Sequence, residues 1–312
     1  MHQPPELPEI GVRVSLRYLR APGSSPPMGD VIGHLVQVGP LVRVRSADGV
    51  VHECRHADVL YVRRLTDRPV KNSTIRSVEH AAALAWPGSE HQWLDGWLLR
   101  ADPGADLGAN SAVPLDMFAH ANTIPAIIDW YEQRDLPPSL AIPERLSPAG
   151  GRYSQRLPED IPTRLETRTL VGDLGAGGAA VTEVALATEP DADWLATFGH
   201  ELPVDVLTAV VDGEVIFASI PGVAVGRGAV TAGQDGIRWL GLTAVRVAPD
   251  RCRQGFGRAI CAALLAWGAG CGATRGYAQV PSTDARAFTF FEAIGFAGQH
   301  RTRYLDARLL VA

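Results

Sequence analysis

Apolar and polar residues alternate through residues 12–18, 31–38, 41–44 and 50–53, and Pro- and Gly-bearing turns such as residues 21–29 separate these runs. A period of two places successive side chains on opposite faces, so the pattern predicts four or five short strands, a small barrel or meander. The period then lengthens. Val78 to Trp86 predicts a helix that Pro87 and Gly88 stop. Residues 97–100 begin a strand with 109–115 as its antiparallel partner, and residues 124–134 form a second helix before Pro137 and Pro138. Residues 146–180, rich in Pro, Gly and Arg, read as a mobile connection, with 175–180 as the junction. Beyond it the pattern predicts strand 181–187, a helix from about Asp191 to Asp193 with Trp194, strands 208–211 and 214–220, one strand past Gly222 and another over 239–247.

The chemistry concentrates at the end of that last strand. Val245-Arg246-Val247 leads into a turn carrying Arg251, Cys252, Arg253, Gln254, Gly255, Phe256, Gly257 and Arg258, and Ala259 to Trp267 reads as a helix. The first amides of a helix lack intrahelical partners and sit at the positive end of its dipole, so this turn suits a phosphate. Gly255 and Gly257 let the main chain approach it. Arg251, Arg253 and Arg258 add planar donor forks. The turn lacks the third glycine and the later acidic residue of a dinucleotide fingerprint, and the Gly-Lys-Ser/Thr ending of a triphosphate loop.

The turn resembles the pyrophosphate loop of the GNAT acetyltransferase superfamily, Gln/Arg-x-x-Gly-x-Gly/Ala. Downstream, Asp284-Ala285-Arg286-Ala287-Phe288 and Phe291-Glu292-Ala293-Ile294-Gly295-Phe296 resemble that superfamily's "Asn-x-x-Ala … Tyr-Glu-x-x-Gly-Phe" segment. The likeness covers about residues 181 to 308 and is strongest from Leu240 to Tyr304. It implies acetyl-CoA as co-substrate, held by Val245, Arg246, Val247, the loop from Cys252 to Arg258, and Asp284, Arg286 and Phe291. It also implies a bulged strand that splays from its neighbour to admit the pantetheine arm, and an amide near Val245 that polarises the acetyl carbonyl. Two positions depart from the pattern: Cys252 replaces the first Gln or Arg of the loop, and Phe291 replaces the tyrosine thought to protonate the departing thiolate.

Residues 96–100 with 109–115 resemble the front half of a bacterial GNAT subgroup, and the N-terminal strands resemble an SH3-like barrel. The expected fold is therefore α+β: a GNAT-type mixed sheet flanked by helices, preceded by a degenerate GNAT-like half and a small SH3-like β-barrel. The expected domains are 1–68, 69–175 and 176–312. For the acceptor pocket the candidates are Trp97, Asn110, Ser111, Trp194 and Trp239, with Trp93 beside them, since aromatic faces suit a cationic amine. Tyr304 is the catalytic candidate, equally readable as a half-buried strand tyrosine. The base is unassigned, with Asp212, Glu214, Asp235 and His200 as possibilities.

Composition narrows the classes. With 312 residues, 46% hydrophobic, 20% charged and a net charge of −5, the chain reads as an ordinary globular protein with no bulk attraction to nucleic acid or an anionic membrane. Cys54, Cys252, Cys261 and Cys271 have no metal-ligand spacing and read as reduced thiols of a cytoplasmic protein. No secretory signal or membrane span is expected, no metal is expected, and a homodimer is one option. The expected function is transfer of acetyl from acetyl-CoA to the primary amine of a small molecule. The alternatives are a protein acetyltransferase that docks its substrate through the SH3-like segment, and a non-catalytic acyl-CoA sensor.

Overall fold

The computed structural model describes residues 4–8, 10–46, 48–65, 70–150, 157–158, 160–174 and 184–311. The chain divides into two compact units, Met1–Val70 and Lys71–Ala312.

The first unit holds β1 (Arg13–Leu19), β2 (Met28–Gln37), β3 (Leu41–Ser46), β4 (Val51–Arg55) and β5 (Val59–Arg64) in one antiparallel sheet of order β4-β3-β2-β1-β5. Alternation shows directly in β2, where Val31 is buried between exposed Asp30 and Ile32, and Leu35 between exposed His34 and half-buried Val36. These side chains pack with Val14, Leu16, Val42, Val44 and Val59. Among the described residues no ladder joins β4 to β5, so the closed barrel expected from the strand pattern is not formed there; both edges remain as strand ends of the order.

The second unit contains α1 (Asn72–Ala85), β6 (Glu90–Leu94), β7 (Trp97–Ala101), β8 (Val113–Pro114), α2 (Ile124–Glu132), β9 (Ser139–Pro143), β10 (Leu165–Asp173), β11 (Ala185–Ala187), α3 (Ala192–Phe198), α4 (Val204–Thr208), β12 (Glu214–Ile220), β13 (Ala224–Ala232), β14 (Arg238–Val247), α5 (Phe256–Gly270), β15 (Arg275–Pro281), α6 (Ala285–Ala293) and β16 (Ala297–Asp306). Eight strands form the main sheet in the order β11-β12-β13-β14-β15-β10-β16-β9, and β6-β7-β8 form a smaller one.

Helices α5 and α6 cover one face of the main sheet through Ile260, Leu264 and Phe291, which pack on Leu240, Leu242, Ala278 and Val280. The opposite face takes α1, through Val78 and Ala81 against Trp239 and Tyr277, and α3, through Trp194 and Phe198 against Phe217 and Val225.

Local signals explain most elements. Asp191 caps α3 by accepting from the Trp194 amide, and Asp284 caps α6 by accepting from the Ala287 amide. Several expectations need correction. Residues 165–173, read as part of a mobile connection, form β10, which pairs antiparallel with β15 on one side and β16 on the other. Its run Leu165-Glu166-Thr167-Arg168-Thr169-Leu170-Val171 is a good strand masked by the Pro- and Arg-rich residues before it. Residues 208–211 form no strand; the chain there ends α4, which follows Pro203. The partner of β7 along most of its length is β6, joined by a turn in which Asp95 and Gly96 both have positive φ, and only Val113 and Pro114 pair on the other side. Residues 151–156 and the expected junction 175–180 lie outside the described residues, as does the start of strand 181–187.

Candidate acetyl-CoA site

β14 and β15 are parallel neighbours for only three pairs, Trp239 with Arg275, Leu240 with Gly276 and Gly241 with Tyr277. Both strands then continue, β14 to Val247 and β15 to Pro281, without pairing with each other. On its other side β14 stays paired with β13 but carries a bulge. Thr243 faces Arg227 and Arg246 faces Val225, so Ala244 and Val245 together oppose Gly226. Ala244 takes φ +52°, a left-handed conformation costly for a residue with a Cβ. A bulge takes one residue out of the ladder and bends its strand, and here it coincides with the gap.

The gap leads to the Arg- and Gly-bearing turn. Arg253 at φ +62° and Gly255 at φ +90° reverse the chain into α5, whose N-terminus has no side-chain cap. Residues 251–255 are all exposed. A Cβ on Gly255 would meet nothing within 4 Å, and one on Gly257 would touch Phe290 and Val247 only at 3.4 Å. Gln254 donates to the Asp250 carbonyl at 3.3 Å, and Cys252 Sγ lies 3.6 Å from the Ala248 carbonyl. Arg258 donates to the Ala293 carbonyl at 3.2 Å and so links the start of α5 to the end of α6. Uncapped amides, a helix dipole and exposed guanidinium groups are the donor set that a diphosphate requires, so these residues fit the pyrophosphate of acetyl-CoA.

Other sequence candidates are placed elsewhere. Phe291 is buried among Phe290, Phe296 and the apolar face of the sheet. Asp284 and Arg286 are exposed at the start of α6, with Asp284 occupied as its cap. Trp97, Trp194 and Trp239 are not brought together. Each is core in a different cluster, and their indole N–H groups donate to the His120 carbonyl, the Ala218 carbonyl and Ser77 Oγ. Asn110 ties the turn before it, accepting from the Asp102 amide and donating to the Asp102 and Ala105 carbonyls. Ser111 accepts from the buried Arg100. Trp93 is exposed and stacks near His80.

Tyr304 is buried beside Leu84, Leu98 and Val113, and burial pushes its phenol up to about 12. Among the base candidates, Asp235 accepts from Ser77, Glu214 pairs with Arg238 at the surface, and Asp212 occupies a positive-φ turn. His200 contacts Arg246 on β14.

Sequence reasoning missed a buried polar cluster on the α1 face. Glu79 Oε1 accepts from His300 Nε2 at 2.8 Å, Gln279 Nε2 at 2.9 Å and Thr169 Oγ1 at 3.0 Å, and His300 Nδ1 lies 3.0 Å from Gln299 Oε1. Burial pushes the Glu79 carboxyl up, but the hydrogen bond and charge of His300, with the Thr169 and Gln279 hydrogen bonds, more than offset this and leave it below the usual range. One signal was available. Glu79 falls four residues after Ile75 and three before Ala82, on the stripe of α1 that the helical period buries.

A second polar anchor is Arg227 on β13, fully buried. It donates to the carbonyls of Leu207, Ala85 and Ala209, and its guanidinium lies 4.5 Å from the Trp86 ring centroid. Desolvation lowers it to about 10. Among the described residues no group of His, Cys, Asp and Glu is placed to hold a metal ion, and no helix is long and apolar enough to cross a membrane.

Comparison with known proteins places this geometry. A family model described as "Probable histone acetyltransferase Rv0428c C-terminal" matches residues 72–305, and one described as "Rv0428c N-terminal Sm-like domain" matches residues 8–63. The N-terminal unit is thus Sm-like, where the strand pattern alone had resembled an SH3-like barrel. A Mycobacterium tuberculosis protein named "Probable histone acetyltransferase Rv0428c" is 48% identical over 302 residues, covering 96% of each chain. The solved structure of a GCN5-related N-acetyltransferase from Kribbella flavida superposes with a TM-score of 0.51 at 15% identity, covering 74% of this chain and 93% of its own, a likeness of fold.

Proposed function

Because the chain belongs to the family of the "Probable histone acetyltransferase Rv0428c" and is an acetyltransferase of the GNAT type, we propose that it moves the acetyl group of acetyl-CoA directly to a primary amine. The observation that carries this reading is the parting of β14 from β15 immediately before the uncapped start of α5. Acetyl-CoA supplies the activated thioester. The chain's amides from Gly255 to Arg258, with Arg251 and Arg253, hold the pyrophosphate. The bulge at Ala244 and Val245 leaves a main-chain donor for the acetyl oxygen, worth about 3 kcal/mol where such donors have been removed. A thiolate leaving group needs no dedicated acid near neutral pH, so Phe291 does not block the reaction.

Calorimetry with acetyl-CoA tests the site. Gly257→Glu places a carboxylate beside the phosphates and is expected to weaken binding at least 100-fold. Failure of the wild type to bind at millimolar concentration, or equal binding by the variant, sinks the reading.

For the acceptor we take a protein lysine, on the strength of the name carried by the 48% identical relative. A small-molecule amine is the second reading, the one drawn from the sequence. In the first, the Sm-like unit docks the substrate protein. Deleting residues 1–66 then abolishes thiol release with basic proteins and spares small amines, whereas equal loss with both, or with neither, removes the docking role.

A further inference from the structure

The carboxylate of Glu79 is held from one side. Oε1 accepts three hydrogen bonds, from β10, β15 and β16. Among the described residues Oε2 accepts none, and it is not one of the fully enclosed unpaired atoms there; the side chain is 5% exposed. An ionised oxygen without a partner in a nearly closed site is costly unless a cation meets it.

Its position is informative. Gln279 stands on the part of β15 that has left β14; counted on from the last pair, it is level with Thr243, one residue before the bulge. Gln279 therefore flanks the gap, and Glu79, bonded to it at 2.9 Å from α1, stands one side chain away; α5 packs on the other face. The other titratable groups in reach are His300 on β16, Tyr277 on β15 and Tyr304 on β16, with Arg100 of β7 beside the two tyrosines. Among the described residues no lysine or arginine pairs with Glu79; His300 meets Oε1, which leaves Oε2 for a cation brought by the ligand.

We infer that Glu79 is the catalytic base: Oε2 receives the acceptor's primary ammonium group and takes its proton, while His300, Thr169 and Gln279 are positioning residues that hold Oε1. This rests on the acetyl-transfer reading above. The ammonium gives one proton to Oε2. The freed lone pair forms the C–N bond, the C–S bond breaks with its electron pair on sulfur, and a second proton from nitrogen passes through water to the thiolate. Glu79 then returns its proton to solvent. The base thus comes from the helix that precedes the small sheet, and the main sheet supplies its clamps.

Glu79→Gln keeps the shape and removes the charge. The variant is expected to bind acetyl-CoA within twofold of wild type and to lose at least 100-fold in kcat with an alkylamine. Its rate with semicarbazide, a nucleophile already unprotonated at neutral pH, should stay within threefold. Alkylamine turnover within threefold of wild type, or equal loss with both nucleophiles, overturns the inference. Gln279→Leu removes one clamp, and the acid limb of kcat/KM against pH is expected to move upward; an unmoved limb overturns it even where Glu79→Gln does not fold. Independently of turnover, n-butylammonium should perturb the NMR signal of the Gln279 side-chain amide in the wild type, and no perturbation counts against the site. If the wild type binds no acetyl-CoA, the acetyl-transfer reading falls, while the ammonium titration still reports on Glu79.

Discussion

The two faces of the eight-stranded sheet are built from different chemistry. Toward α5 and α6 the sheet presents Leu170, Leu240, Leu242, Ala278 and Val280, and the helices answer with Ile260, Leu264 and Phe291. That contact is held by apolar burial, which is non-directional and tolerates small shifts. Toward α1 and α4 the sheet presents, besides the apolar clusters around Trp239 and Trp194, Arg227, Thr231, Thr169, Gln279 and His300, each bonded to a main-chain carbonyl or to Glu79. Buried polar groups are stable only when paired, so this face demands specific positions. The apolar face carries α5 with its uncapped start, and the other face holds the Glu79 carboxylate against β10, β15 and β16. Under the proposed function and the inference on Glu79, the two faces divide the holding of the cofactor from the handling of protons.

The contrast can be broken most sharply at Arg227. Arg227→Met leaves the carbonyls of Ala85, Leu207 and Ala209 without their donor, and denaturant unfolding is expected to show a loss of roughly 3–5 kcal/mol. A loss under 1 kcal/mol would mean that the polar face is no more demanding than the apolar one. Phe291→Tyr adds a hydroxyl among Phe290, Phe296 and the apolar face of the sheet. The expected cost is about 1–2 kcal/mol with unchanged kcat. Raised thiol release without loss of stability would show instead that the ring meets the leaving sulfur.

The pH dependence of stability separates the faces further. The folded Glu79 carboxyl lies below its usual 4.5. A depressed carboxyl contributes stability that is present above the unfolded value and lost as pH falls through the folded one. Denaturation midpoints of the wild type should therefore fall more steeply below pH 4.5 than those of Glu79→Gln, and parallel profiles would remove the buried carboxylate from the account. The smallest effect belongs to the exposed pair Arg238 and Glu214, 2.8 Å apart with side chains 42% and 53% exposed. Arg238→Ala is expected to change stability by under about 0.5 kcal/mol, as surface ion pairs do.

The apolar face was legible in advance and the polar one was not. The strand ending at Val247, the Gly255 turn and helix α5 follow one another along the chain. Each has a local cause: period, glycine or turn. The Glu79 cluster joins residues 79, 169, 279 and 300, and no local pattern relates them. The tryptophans misled for a related reason. Aromatic residues suit both a pocket and a core, and only packing distinguishes them, as the separate clusters of Trp97, Trp194 and Trp239 show.

The sequence was enough to specify the Arg- and Gly-bearing turn, the elements around it and the likeness to acetyltransferases, because glycines and hydrophobic period act within a few residues of one another. Tertiary pairing alone settled that residues 165–173 form a strand between β15 and β16, and that Glu79 is buried against β10, β15 and β16. Those features depend on pairing between segments distant in sequence, and hydrogen bonds across the sheet, not local propensity, hold them in place.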